Sequence, residues 1–213
     1  MNHCGVICAL VLAISAVGSP NSSWDFEDAE VGELPTGWST AKTGEGEGSE
    51  WSVIEDNSAP AGARVLAQTS SAAPRPLFNL CVLEDVEFAD VDLSVAFKAV
   101  SGDIDQGGGP VWRYSNANNY YIARFNPLEN NFRVYKVVDG KRTQLGTADA
   151  EAAAGEWHTI RIVHRANRIR CSLNGTEYLD VGDDTFGNPG HVGLWTKADA
   201  VTSFDALTVA NPE

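Results

Sequence analysis

Residues 107–145 read GGGPVWRYSNANNYYIARFNPLENNFRVYKVVDGKRTQL. The stretch predicts three consecutive strands, because alternating polar and apolar runs are bounded by Asn, Gly and Pro. Successive side chains of a strand face opposite ways. One parity therefore gathers Arg113, Tyr120, Arg124, Asn126, Arg133 and Tyr135; the other gathers Trp112, Tyr114, Tyr121, Ala123, Phe125, Phe132 and Val134. The second set suits a core and the first an open sheet face. Guanidinium, phenol and amide groups on one face form a polar ligand platform. The alternative is a solvated face whose arginines pair with acidic neighbours across strands.

Outward from this stretch the same grammar continues. Asp139-Gly140 and Asn174-Gly175 suit type I′ hairpin turns, whose two central residues need positive φ. Residues 91–100 (VDLSVAFKAV) and 157–164 (WHTIRIVH) alternate as strands, and 192–195 and 204–209 close the chain. Residues 34–50 read as a long loop, Trp24-Asp25-Phe26 as the start of the fold, and residues 148–155 as one or two helical turns. About 11 to 13 strands without crossover helices point to an antiparallel sandwich or barrel and exclude a parallel βαβ fold.

The chain has 213 residues with 29 acidic and 15 basic side chains, a formal net charge of -14. That balance argues against nucleic acid and against anionic membrane surfaces. Gly5 to Val17 is apolar but too short to span a bilayer, and Ala16 and Gly18 form an A-x-A-like site. Residues 1–18 are expected to be a signal peptide, with an uncleaved anchor as the alternative. Residues 19–213 are then one β-sandwich domain, secreted or periplasmic, with no membrane contact after cleavage. Cys81 and Cys171 remain in it, either bridged or as buried free thiols.

The order of motifs resembles the concanavalin A-like jelly-roll sandwich of lectins and glucanases. It is most similar to exported bacterial domains of the 3-keto-disaccharide hydrolase domain family. The residues that carry the resemblance are FEDAEVGELPTGW near the start, the stretch quoted above, EWHTIRI, RIRCSLNG, DDTF and GHVGLWTKADAVTSFDALTV. The resemblance implies an all-β, antiparallel two-sheet sandwich with a concave sheet that holds a sugar. It also implies that the closing strand, with His191, Trp195 and Lys197 on one parity, lies beside the arginine-bearing strands. The ligand-binding set expected is Arg113, Tyr120, Arg124, Asn126, Arg133, Tyr135, Trp195 and Lys197. Aromatic rings would stack on pyranose faces and guanidinium groups would bind hydroxyls or carboxylates. The partner is then a carbohydrate, with an anionic polysaccharide favoured by the arginines.

Catalytic and metal motifs are weaker. The glucanase spacing E-x-D-x-E is absent: Glu84 to Asp90 does not match it, and Asp103 and Asp105 lack a following Glu. The sequence holds no HExxH, no G-x-S-x-G elbow and no Lys-Ser/Thr after Gly107–Gly109. A structural calcium joining the first and last strands through Asp25, Glu27 and Asp205 follows from the resemblance, with 103–106 as a second candidate loop. Three functions stand open: a lectin-like glycan-binding module, a glycoside hydrolase acting on a 3-keto-disaccharide or related glycoside, and an extracellular protein-interaction module.

Overall fold

The computed structural model describes residues 21–212, so the expected signal peptide lies outside the described residues. Fifteen strands follow in order. They are β1 (Asn21–Trp24), β2 (Trp38–Thr43), β3 (Trp51–Glu55), β4 (Arg64–Gln68), β5 (Phe78–Phe88), β6 (Val91–Ser101), β7 (Gly108–Asn116) and β8 (Asn119–Asn126). The remainder are β9 (Asn131–Val138), β10 (Lys141–Asp149), β11 (Trp157–Arg165), β12 (Arg168–Leu173), β13 (Thr176–Gly182), β14 (Gly190–Lys197) and β15 (Val201–Ala210). They form two antiparallel sheets. One is eight-stranded, ordered β13-β12-β11-β6-β15-β4-β3 with β1 added on β15; the other is seven-stranded, ordered β10-β9-β8-β7-β14-β5-β2.

The fold class matches the expectation; the fifteen strands exceed the 11 to 13 expected, and three readings of where strands and helices lie do not hold. β1 begins at Asn21, ahead of the expected start at Trp24, because main-chain pairing to Leu207–Ala210 needs no apolar side chains. β2 lies in the Gly- and Thr-rich segment, paired with Phe78 to Leu83 of β5. Residues 148–155 form no helix; β10 runs to Asp149, and a short non-helical segment follows. The hairpin turns at Asp139-Gly140 (φ 50° and 77°) and Asn174-Gly175 (φ 50° and 80°) have the positive angles a type I′ turn requires.

The main core lies between the sheets. It includes Trp112, Tyr121, Ala123, Phe125, Phe132 and Val134 from the seven-stranded sheet, and Val53, Leu93, Val95, Phe97, Ile160, Ile162 and Phe204 from the other. Phe97 and Phe125 meet across the sandwich with ring centroids 6.2 Å apart. Cys81 and Cys171 are buried free thiols, and burial raises both pKa values, which suits inert core residues.

Gly108 and Gly109 explain the glycine run. A Cβ at Gly108 would lie 2.3 Å from the Trp195 carbonyl oxygen, and one at Gly109 would lie 2.1 Å from that of Ala123. The glycines let β7 pack tightly between β14 and β8, and any larger residue would push those strands apart.

Candidate functional site

The outer face of the seven-stranded sheet, turned away from its partner, carries a second apolar cluster. Phe78, Leu80, Val82, Val111, Tyr120, Ile122, Tyr135, Val137 and Trp195 form it, with Ala41 and Tyr114 packed against them. Thr43 on edge strand β2 reaches Tyr120 on β8, Oγ1 to Oη 2.6 Å, although three strands separate them in the sheet. Thr43 in turn donates to the Ala117 carbonyl. Tyr120 and Trp195 are consequently without exposed surface, and Tyr135 nearly so.

Alternation carries β8 and β9 out of this apolar cluster into a polar one. Arg124 stands directly opposite Arg133 in the antiparallel register. Like charges in such a pair repel. The β8–β9 turn relieves the repulsion with one carboxylate. Arg124 Nη2 donates to Glu129 Oε2 at 2.9 Å, and Arg133 Nη1 donates to the same oxygen at 3.1 Å. Burial pushes the Glu129 carboxyl pKa upward, but the Asn131 and Arg124 bonds and both guanidinium charges outweigh it and hold the pKa at about 2. Arg124 is itself buried and also donates to Asn131 Oδ1 at 2.7 Å.

Asn126 shapes the turn. Its Oδ1 accepts the Leu128 and Glu129 N–H groups, while its Nδ2 donates to Asp105 Oδ1 at 2.9 Å. Asp105 Oδ2 accepts from Lys197 Nζ at 2.5 Å. The Asp105 loop is pinned by Asp199, whose carboxylate accepts the N–H groups of Asp103, Ile104 and Asp105. A continuous chain of hydrogen bonds thus runs from β14 through Lys197, Asp105 and Asn126 to Glu129 and the arginines.

Tyr135 joins the two halves. Its hydroxyl lies 3.5 Å from Arg124 Nη2 and from Arg133 Nη1. Over its ring, at 4.3 Å from the centroid, sits the guanidinium of Arg142, which also covers the Phe78 and Trp195 rings at 5.0 and 5.8 Å.

The expected binding residues therefore divide. Tyr120, Arg124, Asn126, Arg133, Tyr135, Trp195 and Lys197 share the outer face. Lys197 is committed to Asp105, and Tyr120 and Trp195 are covered, so neither ring offers a free stacking surface. Arg113 leaves the group. Its backbone takes a left-handed φ of 50°, and β7 shifts register against both neighbours around it. The bulge turns Tyr114, expected in the core, onto the outer face, where it stacks on Tyr120 at 6.0 Å. The Arg113 guanidinium instead binds the carbonyls of Phe186 and Asn188 and the Asp90 carboxylate. His191 packs beside Tyr114, ring centroids 6.4 Å apart, with its Nδ1 3.0 Å from the Val86 carbonyl.

Arg142 was not singled out from sequence, although a signal existed. A two-residue type I′ hairpin fixes the register, so Lys141 pairs with Val138 and Arg142 with Val137. Directly paired residues share a face, which places Arg142 with Val137 and Tyr135.

Asp25, Glu27 and Asp205 serve as hydrogen-bond acceptors. Glu27 Oε1 accepts the N–H groups of Ala63 and Arg64, Asp205 those of Ala61 and Ala206, and Asp25 that of Glu27. Burial raises the Asp205 pKa, and the nearby charges of Asp25 and Glu27 add to the rise. Among the described residues no three His, Cys, Asp or Glu side chains group so as to hold a metal ion.

A family model described as 3-keto-alpha-glucoside-1,2-lyase-like domain matches residues 26–210. The chain belongs to that family. No curated protein matches it. Among solved structures, the carbohydrate-binding module CBM66 from Bacillus subtilis superposes with a TM-score of 0.64 at 15% identity, over 81% of this chain and 95% of that one. Domain 4 of AbnA, a GH43 extracellular arabinanase from Geobacillus stearothermophilus in complex with arabinotriose, gives 0.57 at 11% identity, over 89% and 90%. A structure described as a native glycosidic hydrolase gives 0.62 at 11% identity, over 93% and 98%. At these identities the likeness concerns the fold, which this family member shares with a carbohydrate-binding module.

Proposed function

We propose that this domain binds carbohydrate on the outer face of the seven-stranded sheet, curved as a concave surface, at the end where Arg124, Arg133, Tyr135 and Arg142 converge. The observation that carries the reading is the convergence of three guanidinium groups on one tyrosine, Arg124 held by buried hydrogen bonds, Arg133 by Glu129 and Thr147, and Arg142 by the rings beneath it. Fixed donors of this kind suit sugar hydroxyls and carboxylates. The fold shared with CBM66 and with an arabinanase domain in complex with arabinotriose supports it. The extracellular setting of that arabinanase supports a secreted or periplasmic location.

Arg133 is partly exposed and can be removed without emptying the core. Arg133→Ala is expected to weaken oligosaccharide binding by about 10- to 100-fold in calorimetry, the equivalent of about 1.5–3 kcal/mol for hydrogen bonds from a charged group. Unchanged affinity would remove this face from consideration.

The family's name favours a second reading, elimination of a 3-keto-α-glucoside, in which a base takes the C2 proton beside the ketone and the aglycone leaves C1. The carboxylates of this cluster serve that role poorly. Two arginines hold the Glu129 carboxyl pKa at about 2, which makes it a weak base, and Asp105 is engaged by Lys197 and Asn126. Incubation with a 3-keto-glycoside should release no aglycone; release would establish the enzyme. A glycoside hydrolase meets the same objection. A protein-interaction module would bind no glycan at all.

A calcium ion near Asp25, Glu27 and Asp205 is proposed as a structural element that backbone carbonyls would have to complete, since these three side chains do not group as a metal cage by themselves. Chelator is then expected to lower the melting temperature and added calcium to restore it. An unchanged temperature would reject the ion.

A further inference from the structure

The three guanidinium groups around Tyr135 share a single carboxylate. Glu129 satisfies Arg124 and Arg133. Arg142 has no ion pair among the described residues; its neighbours are the rings of Tyr135, Phe78 and Trp195. Its buried Nη1 has no hydrogen-bond partner, and neither has the buried Nε of Arg124. With Lys197 matched to Asp105, the cluster counts four cations (Arg124, Arg133, Arg142, Lys197) against two anions (Glu129, Asp105), a local excess of two positive charges. The whole chain carries -14.

An unmatched, partly buried cation is costly unless an anion completes it. Arg161 and Arg168, on the eight-stranded sheet, show the usual solution, being paired with Asp92 and Asp180. Burial, together with the neighbouring Arg124 charge, pushes the Arg142 pKa down, as expected of a guanidinium with no anionic partner. Its position over three rings also fixes the plane of the group, so its donors are oriented before a ligand arrives.

We infer that the ligand of this face is a carboxylated sugar, a uronate-containing oligosaccharide, and that Arg142 is the residue that selects the carboxylate. The inference rests on the proposal that the face binds carbohydrate. The carboxylate would complete the donor set of Arg142, while the partly exposed Arg133 remains for hydroxyls.

The test compares one oligogalacturonate with its carboxyl-reduced counterpart, the same chain with each carboxylate converted to a primary alcohol. The native protein should bind the acidic form at least tenfold more tightly at low salt, and the ratio should shrink as salt is added. Arg142→Gln should bring the ratio close to one. Arg142→Lys, which keeps a cation over the rings, should retain part of the preference and serves where Arg142→Gln folds poorly. Equal binding of the two forms by the native protein would overturn the carboxylate inference and leave the sugar-binding proposal standing. So would a preference for the acidic form that survives Arg142→Gln. Failure of both forms to bind, with a panel of neutral oligosaccharides also inactive, would overturn the two together.

Discussion

Asp105→Ala is expected to cost about 3 kcal/mol of stability, because it leaves the Lys197 ammonium without its buried counter-ion. The side chains are 3% and 14% exposed, so solvent cannot replace the lost partner. For a chain of this length the melting temperature should fall by roughly 6–12 °C. The damage should extend beyond the pair. Without Asp105 the Asn126 amide loses the acceptor that orients it, and its Oδ1 is what holds the turn carrying Glu129. Adding Lys197→Met to Asp105→Ala should recover part of the loss, since the ammonium is then gone as well. A double variant no more stable than Asp105→Ala alone would show that the pair is not the source of the cost.

Acid should destabilise the protein well above the carboxylate range, through His164. This residue is buried between the sheets, and its Nδ1 accepts the indole N–H of Trp112 at 2.9 Å. Protonation at Nδ1 would break that bond. Burial first, and then the Arg113 charge, lower the pKa to about 4, against the opposing influence of Asp90 and Asp183. The sign follows from linkage. A histidine whose folded pKa lies below the unfolded value of 6.5 leaves the unfolded chain binding more protons between about pH 6.5 and 4. Stability is therefore complete above pH 6.5 and declines as pH falls through that window, by about 2 kcal/mol at pH 5. Carboxylates held low, such as Glu129, lose their contribution as pH falls from their ordinary value near 4.5 toward about 2, so denaturant titrations between pH 7 and about 5.5 report chiefly on the histidine. His164→Gln, which keeps an acceptor for Trp112, should flatten the slope there. An equal slope in both proteins would place the titrating group elsewhere.

Much of the fold was written in short-range patterns. Asp139-Gly140 and Asn174-Gly175 specified their turns, and the alternation in 119–126 and 131–138 placed Arg124 and Arg133 on one face and Phe125 and Phe132 on the other. The reading failed where a single residue breaks the period. Arg113 adopts a positive φ with no glycine or asparagine to mark it, and the bulge there exchanges the expected faces of Arg113 and Tyr114. β2 was hidden because its pairing with β5 depends on the main chain of a Gly- and Thr-rich segment. The burial of Tyr120 and Trp195 was hidden too, since it arises from Thr43 approaching across the outer face and from Arg142 lying over the rings. Those are long-range contacts that no local spacing encodes.

The most direct measurement is a crystal structure of the protein soaked with an oligosaccharide that it binds in solution. The account predicts the sugar on the outer face of the seven-stranded sheet, within hydrogen-bond distance of Arg133 and Arg142 beside Tyr135. A sugar seated on the eight-stranded sheet, or on the loops at an end of the sandwich with the Tyr135 cluster unchanged, would contradict it.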